Sequence, residues 1–248
     1  MRKYLCVLLL CFLAVDRGVR AEVSEGGIKS AVSFIQERGN SVLEILETKT
    51  GDEKRKALKE LFEAHVHHKS ISQFVLGGVR RGLRAVLAEA SELEKADIKK
   101  RIETALEEFY KTYKKSIIRI YLTSFETAYK GGVFKSVHGK ANGNDGGVIV
   151  YSTLDRKNGA PPLSLHWVLA SVDGNWKVVD LRVEGISQAQ KEKEEAAAII
   201  NRYQGQCKGD SGKFCTLVAL ESLTKEHQKI NKAWKEKNTS PTNAPAAS

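Results

Sequence analysis

The residues of this 248-residue chain best suited to chemistry are three clustered histidines, His65, His67 and His68, because imidazole both ligates metals and moves protons near neutral pH. His65 and His68 fall one turn apart on a predicted helix. A zinc hydrolase would need the H-E-x-x-H arrangement, and no glutamate follows either histidine in that way. The trio therefore reads as a polar, partly exposed helix face. Asp180 and Glu184 stand four residues apart on one strand side with Arg182 between them, too far apart for a paired-carboxylate acid and base. They read as a surface ion-pair ladder. Ser171 and Ser187 lack a G-x-S-x-G setting, and no Gly-rich phosphate loop follows a strand. Gly77-Gly78 and Gly131-Gly132 read as packing and stop signals, and His166 alternates away from Leu165 and Trp167 toward an outer sheet face. No catalytic set, metal site or cofactor motif emerges, so the chain reads as a non-enzyme.

The elements that must position these residues follow from hydrophobic period. Helices are predicted near 28–39, 41–49, 53–68, 70–91 and 97–130, with Asp52 and Asp97 as N-caps and Gly131-Gly132 as a stop. The last of these carries Ile98, Ile102, Leu106, Phe109, Tyr113, Ile117, Ile120 and Ser124 at three- and four-residue steps, with Lys111, Lys114, Lys115 and Arg119 on its other side. Four strand segments follow at roughly 133–141, 147–154, 163–171 and 175–184, joined by short Gly/Asn/Asp/Pro turns. Asp173-Gly174 between two alternating strands is the strongest hairpin signal. Short connections require an antiparallel meander. Helices near 188–204 and 213–235 close the domain, the first opened by a Ser187/Gln190 capping box. The fold class is α+β, with helices cupping a curved four-stranded antiparallel sheet. Such a layer can close on a filled core or stay open as a pocket.

Met1-Arg-Lys, an apolar run from Tyr4 to Val15 and Val19-Arg-Ala21 form a secretory signal peptide over residues 1–21. The run is shorter than the ~20 residues a membrane span needs. Its removal takes away Arg2, Lys3, Arg17, Arg20 and Asp16 and lowers the formal charge from +10 to +7. A positive surface favours anionic lipid headgroups or an acidic partner. No zinc-finger, helix-turn-helix or aromatic RNA-binding signature accompanies it, so nucleic acid is not a partner. The two cysteines beyond the leader, Cys207 and Cys215, flank a Gly-rich loop and in an oxidising compartment predict one local disulfide. One domain is expected over 22–237, with a disordered tail over 238–248.

Trp176-Lys-Val-Val-Asp-Leu-Arg-Val-Glu-Gly-Ile-Ser187 resembles the W-x-V-x-D-x-x-x-E-G-I/V-S signature of the MlaC family of periplasmic phospholipid-binding carriers. Phe74-Val-Leu-Gly77, Phe109-Tyr-x-x-Tyr113 and Pro161-Pro-Leu-Ser-Leu-His-Trp167 extend the likeness from about Gly27 to Leu223. Two departures stand out. Gln188 to Ala198 lacks the Arg and Phe often found in that family's next helix, and the Cys207–Cys215 loop looks like an insertion. The resemblance implies a monomeric periplasmic shuttle that carries phospholipid between an outer-membrane lipoprotein/porin complex and an inner-membrane ABC-type transporter. It further implies an acyl-chain pocket lined by Phe74, Leu83, Phe109, Tyr113, Ile117, Tyr121, Val150, Leu165, Trp167, Leu169, Val179, Leu181 and Val183. Tyr113 and Tyr121 would offer hydroxyls to the glycerol or ester region. The alternatives are a small periplasmic enzyme or ligand binder on a similar cone-shaped fold, and a structural adaptor with a filled core.

Overall fold

Ala31, Ile35, Gly39, Val42 and Leu46 recur at three- and four-residue steps, and a helix with such a stripe needs an apolar face to lie on. A computed structural model describes residues 23–128, 131–142, 146–156, 159, 161–207 and 214–239 and supplies that face. The helices are α1 (Glu25–Thr48), α2 (Gly51–His65), α3 (His68–Val75), α4 (Gly77–Glu89), α5 (Glu92–Ala128), α6 (Gln188–Gln206) and α7 (Cys215–Thr239). The strands are β1 (Gly132–Asn142), β2 (Gly147–Arg156), β3 (Leu163–Val172), β4 (Asn175–Val183) and β5 (Ile186–Ser187). They form one antiparallel meander in the order β1-β2-β3-β4-β5, so the architecture is α+β. Among the described residues no helix is long and apolar enough to cross a membrane.

Turn chemistry fixes both hairpins of β4. Asp173 and Gly174 have φ of 50° and 75°, and Glu184 and Gly185 have 51° and 81°. Paired positive φ angles match the right-handed twist of flanking strands. The second turn folds Ile186–Ser187 back onto Val183 and Arg182 as a fifth strand, one more than the four expected. Ser187 then accepts a hydrogen bond from the Gln190 amide at 3.0 Å and starts α6, as its capping pattern predicts.

Several helix boundaries differ from expectation for identifiable reasons. Segments 28–39 and 41–49 are one helix, because Gly39 serves packing and does not end the turn. The segment predicted over 70–91 divides at Leu76 into α3 and α4. The segment predicted to reach residue 68 stops at His65, and His67 donates its backbone N–H to Val178 O at 2.8 Å. β4 thereby separates His65 from His68, and the predicted one-turn relation is lost. α5 begins at Glu92 and not at an Asp97 cap; Glu94 Oε2 accepts from the Ser91 backbone N–H at 3.2 Å and its hydroxyl at 2.7 Å. α2 likewise starts at Gly51, ahead of Asp52. α7 runs to Thr239, two residues into the predicted tail, and Arg55 of α2 donates to Asn238 O and Oδ1 at 2.9 Å each. The proposed leader and residues 240–248 lie outside the described residues.

Two layers of core result. α1 lies along β1 and β2, over the inner sheet face of Val148, Val150, Leu154, Leu165, Trp167 and Leu169. α5, 37 residues and about 55 Å long, instead packs chiefly on α7, which itself packs on α6. The Cys207–Cys215 disulfide joins the end of α6 to the start of α7. Two glycines set the distance between α1 and the sheet. A Cβ on Gly39 would lie 2.2 Å from Phe134 Cε1 of β1, and one on Gly139 would lie 2.9 Å from methyls of both Ile28 and Val32. Helix and strand approach each other where neither has a side chain.

The α5–α7 layer carries a buried polar cluster. Ser116 Oγ lies 3.0 Å from His227 Nδ1 and 3.2 Å from Asn231 Oδ1, and Asn231 Nδ2 donates to Thr112 O at 3.2 Å. The His227 ring meets Tyr113 edge-on at 5.2 Å, and Tyr113 stacks on Phe109 at 5.1 Å. Ser116 is wholly buried, so this serine–histidine–asparagine set is a structural network. Burial, assisted by Arg119, lowers the His227 pKa to about 4. Burial, assisted by Lys114, lowers that of His68 to about 4.

Two stability predictions follow from this packing. Ala is ordinarily favoured over Gly in a helix interior by ~1 kcal/mol, but Gly39→Ala must push Phe134 against Trp167. Overpacking of ~1–3 kcal/mol should outweigh the gain and lower the urea midpoint. Gly78→Ala, where a Cβ meets nothing within 4 Å, should raise it. The histidines give a pH dependence. Unfolded, each takes a proton below pH ~6.5; folded, each stays neutral to about pH 4. The unfolded state therefore binds more protons in that window, and the stability present above it is lost as pH falls through it, by about 2 kcal/mol per histidine at pH ~5. Glu192, whose pKa is raised by burial and then by Glu195, opposes this at the acid end. Urea unfolding at neutral and mildly acidic pH should show the loss, and His227→Gln should shrink it.

Candidate functional site

α1 does not seal completely on the sheet. Between them lies a cavity of about 50 Å³. Phe34, Ile35, Val42 and Leu43 form its α1 wall, Leu61 and Phe62 its α2 wall, and Tyr121 reaches it from α5. The sheet supplies Phe134, Leu154, Leu165, Trp167 and Val178. Aromatic contacts order these walls: Phe62 stacks on Tyr121 at 5.6 Å, and Phe134 meets Trp167 edge-on at 6.3 Å. Even the Trp167 N–H is satisfied internally, donating to Ser152 Oγ at 2.8 Å. The lining surface is almost wholly apolar, and the charged or titratable side chains on it are Arg38, His65 and Tyr121.

Of the residues expected to line a pocket, Tyr121, Leu165 and Trp167 meet here. Val150, Leu169 and Leu181 are buried on the same sheet face without touching the cavity, and Val183 is half-buried at the end of β4. Leu83, Phe109, Tyr113 and Ile117 are buried in the core but do not line the cavity. Tyr113 directs its hydroxyl to Glu192 Oε2 of α6 at 3.3 Å, and burial followed by that carboxylate raises its pKa. Tyr121 is likewise raised by burial and then by Asp180. Phe74 is 44% exposed, with Lys193 Nζ 4.5 Å above its ring.

Val179 departs from its predicted face because β4 is bulged. The register pairs Val168 with Asp180 but Leu169 with Val178, leaving Val179 as the extra residue. Strict alternation across the bulge assigns Lys177 and Val179 to the face of Leu181; the bulge resets the phase and brings Val178 to the cavity. The predicted charge ladder also changes. Asp180 and Arg182 approach at 3.6 Å, but Glu184 accepts the Ser164 backbone N–H at 2.6 Å and secures the turn. Asp180 also accepts from the Ala189 N–H at 3.1 Å, holding the first turn of α6. On the outer face His166 packs on Tyr151 at 4.5 Å, as its alternation requires.

The histidine trio is dispersed in role. His65 lies edge-on to Phe34 at 5.5 Å on the cavity wall, His67 Nδ1 contacts Ser70 Oγ at 2.6 Å, and His68 is half-buried at the start of α3. Among the described residues no three histidine, cysteine or acidic side chains are grouped to hold a metal. Sequence reasoning missed the α1 and α2 walls. Their signal was the stripe Ala31–Ile35–Gly39–Val42–Leu46, obscured where the glycine divides it.

A comparison with curated proteins gives no match. Among solved structures, a phospholipid-binding protein from Ralstonia solanacearum, determined in complex with a phospholipid, is 16% identical, with a TM-score of 0.43, over 81% of this chain and 93% of that one. The family model described as MlaC protein matches residues 36–206, a span that runs from within α1 to the end of α6 and stops before the disulfide is closed. Since that match covers well over half of the sequence, the chain belongs to the MlaC family.

Proposed function

We propose that the chain is an exported phospholipid carrier, with residues 1–21 as its leader and the periplasm as its compartment. Its acyl chains would lodge between α1–α2 and the sheet, and it would exchange lipid with an outer-membrane lipoprotein/porin complex and an inner-membrane ABC-type transporter. The observation that carries this reading is an almost wholly apolar cavity, walled by aromatic and aliphatic side chains, whose one cation is Arg38 and whose other polar side chains are His65 and Tyr121. That polarity suits a ligand with a long apolar part and one polar end.

The cavity volume states what loading requires. About 50 Å³ is far below the several hundred that a ligand-sized pocket encloses, so α1 and α2 must part from the sheet to admit a tail. Energetics allow it. Burying ~30 methylenes from water is worth ~24 kcal/mol at ~0.8 each, beyond the ceiling for non-covalent affinity. A lipid drawn from a bilayer leaves an environment equally apolar, so most of that sum cancels. The remainder need only balance the cost of opening, and a docked partner can tip it.

The same small volume favours one other reading, a structural adaptor with a filled core. Native mass spectrometry and lipid extraction after purification from a Gram-negative host separate the two. The carrier retains phospholipid or takes up labelled phospholipid from vesicles; a protein that does neither is the adaptor. Leu43→Glu, on the half-buried cavity wall, should cut uptake about tenfold or more by placing a charge against the tails. Because that charge can reach solvent, the urea midpoint should hardly move. Leu181→Asp, in filled core, should unfold the protein instead.

A further inference from the structure

The apolar cavity opens onto a second space of different character. A polar groove of about 410 Å³ shares Phe34, Arg38 and His65 with it and adds Ser30, Ser33, Lys177 and the Glu37 carboxylate. One site is thus apolar at one end and polar at the other, where Arg38 and Lys177 outnumber the single Glu37 carboxylate. Both cations have donors to spare. Arg38 gives Nη2 to Glu37 at 3.2 Å, an exposed ion pair that exchanges partners at little cost. Lys177 Nζ donates to Ala64 O, the carbonyl at the end of α2, which fixes its position while leaving two further N–H groups. Ser30 Oγ accepts from Trp176 Nε1 at 3.3 Å, so its own proton is available to donate. Burial, and then Arg38 and Lys177 from this groove, lower the His65 pKa and so disfavour a third positive charge there.

We propose that Arg38, Lys177 and the Ser30 hydroxyl form a phosphate seat at the mouth of the cavity, positioned to hold the phosphodiester of a phospholipid while its tails enter between α1 and the sheet. A guanidinium, an ammonium and a hydroxyl converging on one groove are the donors a tetrahedral oxyanion requires. The seat deepens the carrier reading and rests on it for the source of the phosphate. It implies selection: two lipids with identical tails, one with phosphate and one without, should load unequally.

The test offers the full exported protein vesicles of dioleoyl phosphatidylglycerol doped with dioleoylglycerol and measures the ratio loaded by native mass spectrometry. Wild type, Lys177→Gln and Arg38→Gln/Lys177→Gln see the same vesicles, so any bias of the membrane itself cancels. The phospholipid-to-diacylglycerol ratio should fall about tenfold or more in the double variant, and partway in Lys177→Gln, as charge-assisted hydrogen bonds are lost. An equal ratio in all three proteins overturns the seat and leaves the carrier standing. If wild type loads neither lipid, the carrier reading falls, and sn-glycerol 3-phosphate then decides the seat by NMR of the His65 and Trp176 rings. Saturable shifts in wild type that vanish in the double variant support a seat for a free phosphate ester; no shift overturns it.

Discussion

Everything at the candidate site depends on how closely α1 can lie against the sheet. Phe134 projects from β1 onto the helix at Gly39, where no side chain resists it, and Ile28 and Val32 project from the helix onto Gly139 of β1. The two contacts interlock, each element providing the gap for the other's side chains. Their spacing leaves a narrow apolar seam and not a filled interface. The cavity is therefore a by-product of a packing solution, and any motion that widens it must first withdraw a ring from a glycine.

The long helix α5 has a different place from the one its apolar stripe suggests. Ile98, Ile102, Phe109, Tyr113 and Ile117 of its stripe are buried, but the helix packs chiefly on α7. Only near Tyr121 does it approach the sheet seam. Hydrophobic period reports that a face is covered without naming the cover, and the helix with the plainer stripe, α1, is the one that closes over the strands.

The meander, its Asp173-Gly174 hairpin and the α6 cap were legible because each rests on local chemistry: a positive-φ dipeptide, and a serine whose oxygen meets an amide three residues on. What was not legible depends on partners distant in sequence. Gly39 looks like a helix break until Phe134 is placed over it. The bulge at Val179 cannot be read from β4 alone, because it is defined by the strand opposite, and it shifts the cavity-facing residue from Val179 to Val178. Val178 O, beside the bulge, accepts from His67 N–H where one helix ends and the next begins, so a histidine pair that a continuous helix would have joined is divided. Three of the thirteen residues expected at the pocket lie on the cavity: Phe109, Tyr113 and Ile117 lie away from it because α5 packs chiefly on α7, and Val150, Leu169 and Leu181 because the cavity occupies only part of the inner sheet face.

The sheet has a long outer strand, and how that strand is finished bears on the company the protein keeps. Among the described residues β1 pairs with β2 on one side only, so its other side offers eleven residues of backbone to any second chain that could extend the sheet. Its register slips between Ser136 and His138, inserting an extra residue midway, and Lys135 and Lys140 stand to either side of the slip. A kinked, cationic border is a poor template for another strand, the more so for a second copy bearing the same lysines. The irregularity that shapes the inner surface of the strand also protects its margin from uncontrolled sheet growth.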